Sequence, residues 1–236
     1  MSGMRKDNDM RILISNDDGI FAPGLMALVR AFSAAGHTVY VAAPDSQRSA
    51  ASHSMTLFQP LTARARAVEG AEKAWAIDGT PVDCVKLAVK ALCPEVEFVI
   101  SGVNHGYNAG SDVLYSGTVG AAMEGALNGR PAMAVSLGHE REDIYDKAAA
   151  LAVRVFDGLR AHPLPLFSVL NLNYPERDEA LGLKATSLRT LRYLDDYEPE
   201  IGEDDYTWLK RGYATMTVLT YDLTHDAATK ALEGRI

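Results

Sequence analysis

The sequence predicts an α/β protein on a Rossmann-like, doubly wound, mostly parallel sheet with a C-terminal hairpin and helix as an oligomerisation appendage. The stretches "RILIS", "TVYVAAP", "EFVIS" and "AMAVSL" are apolar almost throughout, as expected for strands covered on both faces. These strands alternate with amphipathic helical stretches to about residue 175. Polar, oxygen-rich loops follow them, where an open parallel sheet places its ligands.

The elements justify themselves in order. Ile12, Leu13 and Ile14 form the first strand, and Asn16, Asp17, Asp18 and Gly19 suit the turn after it. In "APGLMALVRAFSAAGH", Pro23 fits the first turn of a helix and Gly36 its C-terminal end, with Leu25, Leu28, Val29 and Phe32 as one apolar stripe. "HTVYVAAP" completes a βαβ unit, and the small, polar loop "DSQRSAASHSM" (45–55) is too long for a simple turn. "TLFQPLTARARAVEG" and "AWAIDG" read as extended. "TPVDCVKLAVKALC" reads as a helix capped by Thr80, with Pro81 at its first position, Asp83 at the favourable dipole end, and Val82, Val85, Val89 and Leu92 inward.

After "EFVIS" and the loop "GVNHGYNAGSDVLYSG", the segment "TVGAAMEGALNG" predicts a helix with Val119, Met123, Ala126 and Leu127 inward. "AMAVSL" is a strand, and "DIYDKAAALAVRVFDGLR" a long helix packed through Ile144, Ala148, Leu151 and Val155. Beyond residue 175, "LGLKATSLRTLRYL" and "YATMTVLTYDL" are expected as a hairpin around the acidic "DDYEPEIGEDD". A final helix is expected near "THDAATKAL" with Thr224 as N-cap. The expected organisation is a disordered leader (1–9), an α/β catalytic core (10–175) and a C-terminal hairpin and helix for oligomerisation (176–236).

Bulk properties exclude several classes. A chain of 236 residues with 47% hydrophobic and 23% charged residues can bury a full core. Its net charge of −8 argues against a generic nucleic-acid-binding surface. No stretch is long and apolar enough for a membrane helix, and the polar "MSGMRKDND" is unlike a signal peptide. Cys84 and Cys93 fall on or at the end of one predicted helix, roughly 13 Å apart along its axis, which forbids a disulfide. A cytoplasmic location follows as the expectation.

The chemistry starts at Asp17 and Asp18. A turn explains one Asp well and the second poorly, because neighbouring carboxylates repel unless solvated or sharing a cation. Loops after three parallel strands meet on one sheet edge and offer hard oxygens: Asp17 and Asp18, the serines between 46 and 54, and Asn104 with Asn108. Such donors suit Mg²⁺ or Mn²⁺. His53, His105 and His139 have no zinc-type spacing and read as surface hydrogen-bonding groups. "YSGTVGAA" places Ser116, Gly117 and Thr118 at a helix N-terminus, an ordinary cap by itself and a phosphate cradle beside a cation. There is no GxxxxGK[ST] loop, and no GxGxxG follows the first strand.

Taken together, "RILISNDDGI" with "APG", "AAPDSQRSA", "GTPVDCVKLA", "SGVNHGYNAGSDVLYSGTVGAAMEG" and "PAMAVSL" resemble the SurE survival-protein family of metal-dependent nucleoside-monophosphate phosphatases. The resemblance covers residues 10 to 175 closely and the rest more weakly. It implies that Asp17, Asp18, Ser49 and Asn104 bind one divalent cation, Mg²⁺, Mn²⁺ or another; the residues alone do not single out Ser49 among its neighbours. It further implies a 5′-nucleotidase, a phosphomonoesterase acting on nucleoside 5′-monophosphates and extending to 3′-monophosphates and short polyphosphate. Asp17 and Asp18 are the expected catalytic residues, one of them orienting the attacking water, and Asn108, Ser116, Gly117 and Thr118 the expected phosphate binders. A homodimer or homotetramer is expected. A haloacid-dehalogenase-type phosphatase has its second Asp two residues after the first, which the adjacent pair does not match. The rival of another class is a non-catalytic metal or nucleotide sensor.

Overall fold

The computed structural model describes residues 9 to 139, 141 to 190 and 202 to 232. Its nine strands are β1 (Arg11–Ser15), β2 (Thr38–Pro44), β3 (Ala63–Arg66), β4 (Lys73–Ile77), β5 (Phe98–His105), β6 (Ala132–Leu137), β7 (Ser168–Tyr174), β8 (Leu183–Ala185) and β9 (Ala214–Thr220). They form one sheet in the order β3-β4-β2-β1-β5-β6-β7-β9-β8. The six strands from β4 to β7 in that order are mutually parallel. β3 and β9 are antiparallel to their inner neighbours β4 and β7.

Both faces are covered, which is why the central strands carry no polar side. Helices α1 (Pro23–Ala34) and α4 (Tyr145–Ala161) pack together on one face, and α2 (Pro81–Leu87) and α3 (Gly117–Leu127) on the other. Along β1 the side chains divide accordingly. Ile12 and Ile14 join the core under α1 and α4 with Phe32 and Phe156, while Leu13 joins the core under α2 and α3 with Val85 and Ala122. The chain runs from β1 to β2 on one side and later places β5 on the other, so the strand order reverses at β1 and opens a crevice at the carboxyl ends of β1 and β5.

Local signals set the elements as expected in most places. Thr80 and Asp83 form a reciprocal capping box at α2, with Pro81 at the first helical position. Asp83 does more than cap: its carboxylate also accepts from Thr56 N at 3.0 Å and Thr56 Oγ1 at 2.6 Å, pinning the far end of the long loop that begins at residue 45. α2 gives way at Ala88 to a π-helical turn through Leu92, closed by Cys93 N donating to Ala88 O at 2.9 Å, so the single helix expected to residue 93 is shorter. Cys84 and Cys93 are both buried and free. Leu127, expected inward, is 39% exposed, being the last residue of α3.

The C-terminal quarter departs most from expectation. β8 and β9 run parallel, not as a hairpin, and α5 (Asp205–Lys210) crosses between them. They continue the main sheet through β9 on β7. A six-residue helix has too few turns to show a periodicity, and its visible signal is Asp204, which caps it by accepting from Thr207 N at 2.8 Å. The last helix, α6 (Asp226–Leu232), begins two residues after Thr224: Thr229 N donates to His225 O, which makes His225 the flanking residue. The expected leader, apart from Asp9, and most of the acidic connection lie outside the described residues. No helix among the described residues is long and apolar enough to cross a membrane.

Asp83→Ala removes a carboxylate that is 2% exposed and serves both the cap and the loop. A loss of about 2 kcal/mol in denaturant unfolding is expected. A change within about 0.5 kcal/mol would show that the loop does not depend on it.

Candidate metal and phosphate site

The reversal point places Asp17 and Asp18 directly after β1. Asn16 folds the turn, donating from Nδ2 to Gly19 O at 2.9 Å and accepting from Gly19 N at 3.1 Å. Asp17 is 5% exposed, yet no Lys or Arg forms an ion pair with it or with Asp18 among the described residues. Burial is the main cause that lifts the Asp17 pKa from 3.8 to about 6, with Asp18 adding to it, against the Thr118 hydroxyl that donates to Oδ1. Asp18 is raised as well, by burial first and by Glu142, while the His105 backbone N–H, 3.3 Å from Oδ2, and the His105 and His139 side chains act the other way.

Two further oxygen-bearing side chains, Asn104 and Ser49, lie in the neighbouring loops. β5 shifts register against β6 between Ser101 and Asn104, and the shift depends on Gly102: at φ +133°, a Cβ there would stand 2.1 Å from Val135 O. Asn104 then donates from Nδ2 to Gly106 O at 2.8 Å, which leaves its amide oxygen as the free end. The loop after β2 is tied to the pair through Arg48 N, which donates to Asp17 O at 2.7 Å. Ser49 follows immediately, its hydroxyl exposed and accepting from Gln47 Nε2 at 2.9 Å.

α3 enters the site with its N-terminus. Ser116 is its cap, accepting from Val119 N at 3.0 Å, so that role does not fall to Thr118. Thr118 instead offers its hydroxyl and its backbone N–H to the Asp17 carboxylate. Gly117 is required for the same reason. A Cβ there would lie 2.9 Å from Asp17 Oδ2 and 3.0 Å from its Cβ, so any side chain displaces the carboxylate. Asn108, also expected at the phosphate, is deeply engaged in the protein. Its Nδ2 donates to Ser136 Oγ at 2.8 Å, its N donates to Asn173 Oδ1 at 3.0 Å, and its carbonyl accepts from Asn171 and Asn173.

The donor chemistry fits a hard cation. Two carboxylates without a Lys or Arg ion pair among the described residues, an amide oxygen and a hydroxyl share one sheet edge. A polar cavity of about 220 Å³ opens beside Asp18, lined by Gln47, His105, Glu142 and Tyr145.

The SurE survival-protein family model matches residues 12–195. The chain belongs to the SurE family. It is 41% identical to the 5′-nucleotidase SurE of Synechococcus elongatus, over 92% of this chain and 95% of that protein, and 49% identical to that of Desulforudis audaxviator, over 79% and 74%. The crystal structure of the SurE protein from Aquifex aeolicus superposes with a TM-score of 0.83 at 31% identity, covering 94% of this chain and 98% of that one. The mostly parallel, doubly wound sheet is therefore the SurE fold, including β8 and β9 beyond the closely matching core.

Sequence reading missed His105, Glu142 and Tyr145 beside Asp18. His105 Nε2 lies 2.8 Å from His139 O and 3.4 Å from Glu142 Oε1. For Glu142 and Tyr145 the loop after β6 was the available signal, since it follows a parallel strand like the other three and ends on the same sheet edge.

The buried charge makes a signed prediction for the metal-free protein. Asp17 holds its proton more tightly folded than unfolded, so stability falls as pH rises from about 4 to about 6, by about 3 kcal/mol in all, and stays lower above that. Asp17→Asn, free of this penalty, is expected to melt higher than the unsubstituted protein in chelator at about pH 7.5, the gap closing near pH 4. An equal gap at both pH values would show that the carboxylate is not held charged in a desolvated site.

Proposed function

We propose that the chain is a divalent-metal-dependent 5′-nucleotidase, hydrolysing nucleoside 5′-monophosphates to nucleoside and phosphate. The observation that carries this reading is the buried Asp17 beside Asp18, without a Lys or Arg ion pair among the described residues, facing the N-terminus of α3 at the reversal point of a SurE-family sheet. The similarity to 5′-nucleotidases over more than nine-tenths of the chain supports the substrate class.

Asp17, Asp18, Ser49 and Asn104 would hold the cation. When bound, such a cation polarises a phosphoryl oxygen and lowers the pKa of a water. The protein's own groups bind and orient. The N-terminus of α3 favours an anion, with Gly117 as the proposed binder and the Thr118 N–H shared between that anion and the Asp17 carboxylate, and Ser116 sets the helix start by capping. Thr118 holds Asp17 by Oδ1, which fixes the rotation of the carboxylate relative to those amides. Ser136 and Asn173 hold Asn108 on the same edge, where it would face a non-bridging oxygen. Asp17 and Asp18 are the carboxylates available to orient or deprotonate the attacking water. Activity on 3′-monophosphates and short polyphosphate belongs to the same proposal.

Self-association as a dimer or tetramer is proposed through the C-terminal strands, where Leu181, Leu183 and Val218 are exposed. Two buried, unpaired thiols support a reducing, cytoplasmic setting.

Phosphate release from nucleoside 5′-monophosphates with Mn²⁺ or Mg²⁺ tests the reading. Turnover is expected with the cation, to vanish in chelator, and to fall by more than about 100-fold in Asp17→Asn, since even outer-shell changes at metal sites cost 10 to 100-fold. Cation-dependent binding without turnover would leave the sensor reading in place. Gly117→Val, which must displace Asp17, is expected to weaken Mn²⁺ binding along with turnover. A folded Gly117→Val variant with unchanged Mn²⁺ affinity would remove Asp17 from the cation site.

A further inference from the structure

Past its N-terminus, α3 carries a second feature that the phosphate end does not use. Ser116, Val119, Gly120 and Met123 recur at helical spacing and form one wall of a cavity of about 370 Å³, within the range of small-molecule sites. Leu219, at the end of β9, and Tyr221 face them. The walls are mostly carbon, and the cavity begins at Ser116, the residue that caps the proposed phosphate cradle.

His53 is the oriented polar group of this cavity. Its loop is fastened to the segment before α3 by Ser52, which donates from N to Tyr115 O at 3.0 Å and from Oγ to Leu114 O at 2.7 Å. Its Nε2 lies 3.0 Å from Oε2 of Glu124, which is 5% exposed and is also held by Asn128 Nδ2 at 2.8 Å and Lys86 Nζ at 3.7 Å. Glu124 thus engages Nε2 and leaves Nδ1 as the ring nitrogen turned away from that carboxylate. So elaborate a support for a half-exposed imidazole is unnecessary for packing. It holds the ring in one orientation at the wall of the cavity.

We infer that this cavity takes the nucleoside part of the substrate, the base lying against Met123, Leu219 and Tyr221 with a polar edge toward His53, and the ribose nearest Ser116. The inference rests on the 5′-nucleotidase reading and deepens it. The shape of the ligand matches the layout of the protein: an anionic end at the first amides of α3, and a flat, mostly apolar end one to two turns along the same helix.

Binding of an unphosphorylated nucleoside, such as adenosine, tests the cavity without turnover. By calorimetry on the full chain, the unsubstituted protein is expected to bind it, and Met123→Trp and Tyr221→Ala to weaken binding at least about tenfold. Tyr221 is 43% exposed, so its replacement keeps the test valid should the Met123 variant fail to fold. In turnover, kcat/KM for nucleoside 5′-monophosphates is expected to fall about tenfold, mainly through KM, while kcat/KM for glycerol phosphate stays within about twofold. His53→Ala is expected to narrow the differences between bases. Nucleoside affinity unchanged in both variants, or equal losses on nucleotide and glycerol phosphate, would overturn the assignment. So would a change in oligomeric mass with nucleoside affinity intact, which would mean that a second copy covers the cavity. If no phosphate ester is hydrolysed by the unsubstituted protein, the nucleotidase reading fails instead, and nucleoside binding still decides the cavity.

Discussion

Burying the Asp17 carboxylate at the end of β1 is the constraint on which the rest of the site depends. A carboxylate only 5% exposed, with Asp18 beside it and no Lys or Arg ion pair among the described residues, is unfavourable in the metal-free protein, as its raised pKa expresses. The fold offsets part of this with dipoles. α3 arrives with its N-terminus toward Asp17, Thr118 gives a hydroxyl and an N–H, and Gly117 omits the side chain that would push the carboxylate away. What remains is the affinity that a cation would use, because a site that neutralised itself with an arginine would have none to offer.

The same constraint explains features remote from the carboxylate. The register shift at Gly102 brings Asn104 to the edge beside the pair, and Asn108 a few residues later is clamped by three side chains from β6 and β7. The loop after β2 is fastened at three places, to Asp17 through Arg48, to the α3 approach through Ser52, and to α2 through Thr56 and Asp83. A long loop thus becomes one side of a rigid site, which is what preorganised metal and phosphate chemistry requires.

Much of this was legible from sequence, for a physical reason. Fully apolar strands, a capping box at Thr80 and Pro residues at helix starts are local signals, and they placed β1, β2, β5, β6, α1 and the start of α2. The paired carboxylates were legible because adjacent like charges conflict with an ordinary turn. Partnership was not legible. That Thr118 holds Asp17, that Asn108 is engaged by side chains 28 and 65 residues away, and that His105 meets Asp18 across 87 residues are all long-range pairings. The C-terminal strands misled because two amphipathic strands around an acidic segment look alike whether paired as a hairpin or, as here, run parallel with α5 between them.

The central claim is that the pair at the end of β1 is a cation site completed by Asn104 and Ser49. Anomalous X-ray scattering from a crystal of the protein grown with Mn²⁺ tests it most directly. The account predicts one strong anomalous peak within coordination distance of Asp17, Asp18 and Asn104, with the Ser49 loop drawn toward it, roughly 2.1 to 2.3 Å from the ligating oxygens. A structure in which Mn²⁺ binds elsewhere, with Asp17 still bonded to Thr118 and no peak beside it, would contradict it.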